Sequence, residues 1–369
     1  MAPSTSTNGL FQRLGRWLGP AASASRPVAK ATRKGVRSLP SPRRKRAEAA
    51  EAWMPPQSVS TLSPMDLRLE VRAAVLRDRD RILSYGGAVA RGDAAFLERL
   101  AHTLASESLA LPVFPEVALE LARLLRVGDP ARAEVVRLVT REPDLLRRVW
   151  KRANCSLYRV PVTDIDRAIA RIGYDEVWRI GMSVCLQGEV FRAGRYQKRV
   201  EDLRSAGVVA GSLTAWVDQK PRGEGYLAGL MQAAGAMFIL RHASLDRRNP
   251  PSAGALQHAL HQYQTAFSVL MVRTWTLGDR VAAAVGHYPQ PAGAPESDRD
   301  FVEGLRIGVL GAHVGRATLR ACRDTDDRVL LKAYVGTRVK LGELLKRAER
   351  GWRAEGEGEP MVRGAASGR

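Results

Sequence analysis

An all-α fold is what this sequence predicts, and three observations predict it. Apolar residues recur at helical spacing through most of the stretch between about residue 65 and residue 350. No segment alternates apolar and polar residues as a half-buried strand does. The glycines that could suggest a nucleotide loop, Gly207 and Gly211, lie inside helical periodicity rather than after a strand. With 369 residues, 45% of them apolar, the chain can bury one large core or two modest ones.

The segment from Met1 to Pro64 departs from this pattern. It is rich in Ser, Ala and Pro and carries eleven Lys and Arg against Glu48 and Glu51, nearly half of the net charge of +20. Such a composition buries too little apolar area to offset its ordering entropy, so a disordered basic arm is expected over residues 1–64. Within it Leu10, Phe11, Leu14, Trp17 and Leu18 share one face at helical spacing. That patch is too short to fold unaided and suits docking on an anionic membrane surface or in a partner groove. The run Arg43, Arg44, Lys45 and Arg46 adds attraction to the phosphates of lipid or nucleic acid without sequence readout.

A helical extension is expected next, over 65–110. Leu67, Val71, Ala74, Val75 and Leu83 mark its first amphipathic helix, and Phe96, Leu97, Leu100 and Leu104 its second. The main domain is placed at 111–290. Short helices should start near Asp129, Glu142 and Thr163, and longer ones should cover about 173–191, 198–219, 223–242 and 254–275. Helices at about 297–323 and 326–349 should pack on the domain as a C-terminal segment, 291–350. The Gly-rich stretch 351–369 reads as a flexible tail.

Cysteine usage and hydropathy exclude several classes. Cys155, Cys185 and Cys322 suit neither a disulfide framework nor a zinc site, which favours a reducing cytoplasm. No charge-free apolar stretch is long enough to span a bilayer, and the interleaved arginines near the start argue against a secretory signal. The expected location is therefore cytoplasmic, peripheral at the membrane if the arm docks there.

An ordered series of motifs narrows the reading. Leu111-Pro112-Val113-Phe114-Pro115-Glu116-Val117 is an extended double-proline entry to a helix. It is followed by Val139-Thr140-Arg141-Glu142-Pro143-Asp144-Leu145, by Ala153-Asn154-Cys155-Ser156-Leu157-Tyr158, and by the block from Pro161-Val162-Thr163 to Ile172-Gly173. Together these resemble the HDOD domain, a bacterial branch related to the HD phosphohydrolases. The resemblance covers about residues 105–290 and implies an HD-like multi-helix domain that generally lacks hydrolase activity and serves signalling and regulation.

The resemblance also locates where chemistry would sit. An HD-type enzyme presents adjacent His and Asp where this chain has Gln232 and Ala233. A His about eleven residues before a Trp becomes Gln264, counting back from Trp275, and a terminal His-His pair is represented at best by His287-Tyr288. An amide and a methyl cannot hold a divalent cation or polarise its water. The expectation is a non-catalytic signalling or regulatory module with no cofactor and no metal. It would bind signalling proteins supplied in trans, with a small ligand in its vestigial cleft as a further expectation. The alternative is a nucleic-acid-associated protein using the arm; a phosphohydrolase with altered ligands ranks third.

Other polar residues read as structural. Asn154 suits a cap for the preceding helix or the following loop, with a pocket role as the functional alternative. Thr163 suits an N-cap with Asp166 as a capping-box-like partner. His258 and His261 share a helix face, yet Gly254 to Leu277 contains no Asp or Glu, so a metal pair there lacks carboxylates. Trp178, Trp216 and Trp275 belong to apolar helical patterns and read as core.

Overall fold

The protein is represented by a computed structural model that describes residues 62–105, 120, 121, 124, 132–154, 160–185, 191–218, 223–319, 331, 332, 335 and 339–355. The apolar face Leu10 to Leu18, the basic run Arg43 to Arg46, the double-proline entry 111–117, Cys155, Cys322 and residues 356–369 lie outside the described residues. Among the described residues all regular structure is helical.

Two helices form a leading hairpin. α1 (Pro64–Ser84) begins where Ser63 Oγ accepts from the Asp66 N–H and Pro64 fills the first turn, a strong helix start. α2 (Gly87–Ala105) buries Phe96, Leu97, Leu100 and Leu104 completely. On α1, Leu67, Val71, Ala74 and Val75 are buried, whereas Leu83, expected on the same face, is 45% exposed. The stripe that leaves Val75 reaches Ile82 seven residues on, and Leu83 is rotated about 100° away from it.

Four shorter helices follow: α3 (Arg132–Arg141), α4 (Pro143–Ala153), α5 (Ile165–Ile172) and α6 (Tyr174–Cys185). The cap of α5 is Asp164, whose side chain accepts from the Asp166 N–H at 3.1 Å, so the expected Thr163 cap is shifted by one residue. Thr163 is exposed. An Asp at this position competes well because its ionised oxygen is the stronger acceptor toward a helix N-terminus. α5 stops at Gly173, whose φ of 81° favours glycine.

The centre of the molecule is α7 (Gln197–Asp218), against which pack α8 (Glu224–Met231), α12 (Arg299–Leu319) and α13 (Leu341–Ala354). α7 and α8 touch backbone to backbone: a Cβ at Gly211 would overlap the Tyr226 carbonyl. α9 (Ala234–Leu245), α10 (Ala253–Thr274) and α11 (Asp279–His287) complete the core, with α10 also carrying α1. Trp178 and Trp275 are buried, and Trp216 is half-buried beneath Arg347, 4.5 Å from its ring centre.

The helix expected over 173–191 is described as far as Cys185, and residues 186–190 lie outside the described residues. Three expected boundaries need correction. The single helix 223–242 is two helices that break at Gln232-Ala233. The one expected over 326–349 is interrupted, because Lys340 is extended and α13 begins only at Leu341. Residues 351–354, expected in a flexible tail, are instead the last turn of α13: Leu344, Leu345, Ala348 and Trp352 form one buried stripe, and Trp352 Nε1 donates to the Ala312 carbonyl at 2.7 Å.

Candidate functional site at the α8–α9 break

The break has an identifiable cause. Ser268, buried on α10, accepts from the Gly235 N–H at 2.9 Å and donates to the Gln232 carbonyl at 3.2 Å. Its hydroxyl thereby replaces a rung of the helix ladder, and an inserted side chain is a known source of a sharp bend. Gly235 makes the insertion possible, because a Cβ there would overlap the Gln264 carbonyl and lie 2.7 Å from the Ser268 nitrogen. The chain order Gln232, Ala233, Gly235 thus meets Gln264 and Ser268 across one helix contact.

Three of the four positions that the resemblance singles out are gathered at that contact. Gln232 ends α8, Ala233 is buried beside it, and Gln264 lies on the α10 face that Gly235 approaches. Of the pair His287-Tyr288, Tyr288 reaches the break, donating to Gln232 Oε1 at 3.4 Å. His287 is buried next to the turn at Gly293, where a Cβ would sit 3.7 Å from its Nδ1. Arg306 on α12 donates to the carbonyls of Tyr288 and Pro289 and holds this corner.

Burial favours the neutral forms of the corner's phenol and imidazole, beside the Arg306 guanidinium. Burial pushes the Tyr288 hydroxyl up, opposed by Arg306, so it stays protonated. Burial also lowers the His287 imidazole, partly offset by Asp298. These residues do not fit a divalent metal: the break gathers two amides, a methyl and a neutral phenol, and carries no carboxylate among them. Among the described residues no group of three or more His, Cys, Asp or Glu could hold such an ion.

Asn154 lies elsewhere. It closes α4, its Nδ2 donates to the Val162 carbonyl at 3.1 Å, and its Oδ1 accepts from the Val162 N–H at 2.7 Å. The amide therefore pairs with the backbone that leads into α5, satisfying both groups of one loop residue.

Of the pair His258 and His261, His258 does have a carboxylate against it. Asp78, from the leading hairpin, is 2.6 Å from His258 Nε2 and accepts from the Tyr263 hydroxyl at 2.5 Å. Burial raises its carboxyl, but the hydrogen bonds from His258 and Tyr263, with the charges of His258 and Arg81, outweigh that and hold it below the usual carboxylate range. Asp78 and His258 are 180 residues apart, and only the Asp at a position facing α10 on an apolar helix stripe hinted at the contact.

Comparison with known proteins agrees with this architecture. A structure from Shewanella amazonensis SB2B, provisionally named a metal-dependent phosphohydrolase, is similar at a TM-score of 0.52 and 20% identity, over 72% of this chain and 99% of that one. An HDOD domain protein of unknown function from Geobacter sulfurreducens gives a TM-score of 0.48 and 15% identity, over 73% and 96%. A structure from Marinobacter aquaeolei VT8, provisionally named a signal transduction protein, gives 0.48 and 19%, over 72% and 64%. No curated protein matches the chain. The HDOD domain family matches residues 111–291, within which lie the motif series, the broken α8–α9 helix and its α10 partner. This stretch of the chain is an HDOD domain.

Proposed function

We propose that the chain is a non-catalytic signalling or regulatory module whose HDOD domain acts by binding protein partners supplied in trans. The observation that carries the reading is Gln232: its side chain bonds to Tyr288 and its carbonyl to Ser268, where metal chemistry would need imidazole and carboxylate. The test is metal analysis of the purified protein together with turnover assays on nucleotides and phosphodiesters. The expected outcome is no stoichiometric divalent metal and no turnover, and Ala233→Asp alone should create none. Robust metal-dependent turnover lost on changing His258 or His261 would overturn the reading.

The charge of residues 1–64 favours a second element, an arm that docks on acidic surfaces. No described helix is long and apolar enough to cross a membrane. Removing residues 1–60 should weaken association with anionic vesicles or nucleic acid in a salt-dependent way, while helical content is unchanged. Nucleic-acid binding that persists without the arm would move that role to the folded part. Trp17→Ala separates the apolar contribution, because a loss that survives high salt belongs to the Leu10, Phe11, Leu14, Trp17 and Leu18 face.

A further inference from the structure

Two short segments of the HDOD domain gather cations on one surface. In the first, residues 191–200, Arg192, Arg195, Lys198 and Arg199 occur with no Asp or Glu. It comprises the single helical turn Gly194–Tyr196 and the start of α7. In the second, the end of α9 and the turn after it, Arg241, Arg247 and Arg248 occur with Asp246 alone. Arg195 Nη2 donates to the Arg247 carbonyl, 52 residues away, at 3.2 Å. A Cβ at Gly194 would lie 3.6 Å from the Ser244 Cβ, so the segments are packed together.

The nearby described carboxylates are engaged. Asp246 accepts from the N–H groups of Arg248 and Asn249 at 3.0 and 2.9 Å and lies 3.6 Å from Arg99. Glu201 accepts from Gln197, and Asp202 from Arg316. Arg195, Lys198 and Arg247 are exposed, and among the described residues none of the three forms an ion pair. The first turn of α7 adds to this potential, because it carries Lys198 and Arg199 and no acid. Cations there oppose the positive end of the helix dipole, an arrangement that an anion relieves.

We propose that this surface binds the phosphate backbone of a nucleic acid without reading its bases. Its cations neutralise closely spaced phosphates, and the arginine forks bond phosphate oxygens two at a time. Leu245 is the one large apolar side chain exposed on the two segments, too little to insert into a bilayer, which favours a polyanion over a lipid surface. The surface belongs to the folded domain and rests neither on the arm nor on the silence of the α8–α9 break.

The test is fluorescence anisotropy of a labelled DNA duplex titrated with the full chain over a salt series. The triple variant Arg195→Gln, Lys198→Gln, Arg247→Gln should bind about tenfold more weakly at low salt. Its slope of log affinity against log salt should be shallower by about 3, since each lost phosphate contact removes about 0.9. Arg137→Gln, Lys151→Gln, Arg167→Gln removes the same charge from exposed positions on α3, α4 and α5 and should leave the slope unchanged. Both variants keep the arm, so its contribution cancels. Thermal melting shows whether each is folded; should the first triple be unfolded, the pair Lys198→Gln, Arg247→Gln decides, with a slope loss of about 2. Equal losses in the two triples would mean general attraction to a basic chain and overturn the proposal. So would an unchanged first triple, or a loss on anionic vesicles without one on the duplex.

Discussion

The two faces of α10 are held in opposite ways. Toward α9 it offers backbone: Gly235 sits against Gln264 and Ser268 with no room for a methyl group. Toward α1 it offers polar side chains, His258 and Tyr263, to the Asp78 carboxylate. The hairpin has further polar anchors in Asp93, which takes both the Ser252 N–H and hydroxyl, and in Thr103, 3.1 Å from His242 Nε2. The contact within the HDOD domain therefore combines close backbone packing with the Ser268 hydroxyl bonded to backbone, whereas the added hairpin is registered by hydrogen bonds between side chains of distant helices.

The largest effect should come from breaking the shape contact. Gly235→Ala forces a methyl into backbone atoms that cannot rotate away, and should destabilise by about 3 kcal/mol or more in urea unfolding. A loss under 1 kcal/mol would show that α9 and α10 can slide apart freely and that the comparison overstates the difference.

A similar loss should follow acidification, through the hairpin side. Burial pushes His242 down from 6.5 to about 4, with its Phe238 hydrogen bond opposing and Arg241 and Arg99 assisting. The Phe238 carbonyl can only accept, which assigns the proton of the neutral ring to Nδ1 and leaves Nε2 facing the Thr103 hydroxyl, which also donates to the Arg99 carbonyl. Because the folded state resists protonation, the unfolded chain binds the extra proton between pH 6.5 and about 4, and stability falls as pH falls through that window. The complete loss is about 3 kcal/mol, and His242→Gln should flatten the profile of stability against pH.

Asp78→Ala should cost about 2 kcal/mol, since it leaves the Tyr263 hydroxyl and His258 without their shared acceptor. The depressed Asp78 carboxyl adds a smaller pH term: its stabilisation is present above 3.8 and is lost only as pH falls through its lower folded value. If the variant melts with the parent, the polar anchors contribute register and not stability. Smallest of all, Asp164→Ala should destabilise by about 1 kcal/mol while Thr163→Ala changes little, a contrast readable by thermal melting.

How much could be read in advance varied with distance along the chain. α7 and α10 fall within one residue of the spans 198–219 and 254–275, because a long apolar repeat reports its own helix. The α5 cap was missed by one residue, since Thr163 and Asp164 are both competent and only the backbone path into the helix chooses. The Gln232-Ala233 break was invisible in a sequence apolar enough for one helix, because its cause is Ser268, on another helix. The stripe ending in Trp352 was hidden by the glycines around it.

By itself the sequence determined the helical class and the motif order, properties of residue type and local spacing; only the resemblance to the HDOD family singled out Gln232, Ala233 and Gln264. The tertiary structure alone decided that Tyr288 meets Gln232, that Asp78 meets His258 across 180 residues, and that Glu355 lies on Arg204. Those are polar contacts between residues far apart in the chain, and they depend on how the helices pack against one another, which helical periodicity does not encode.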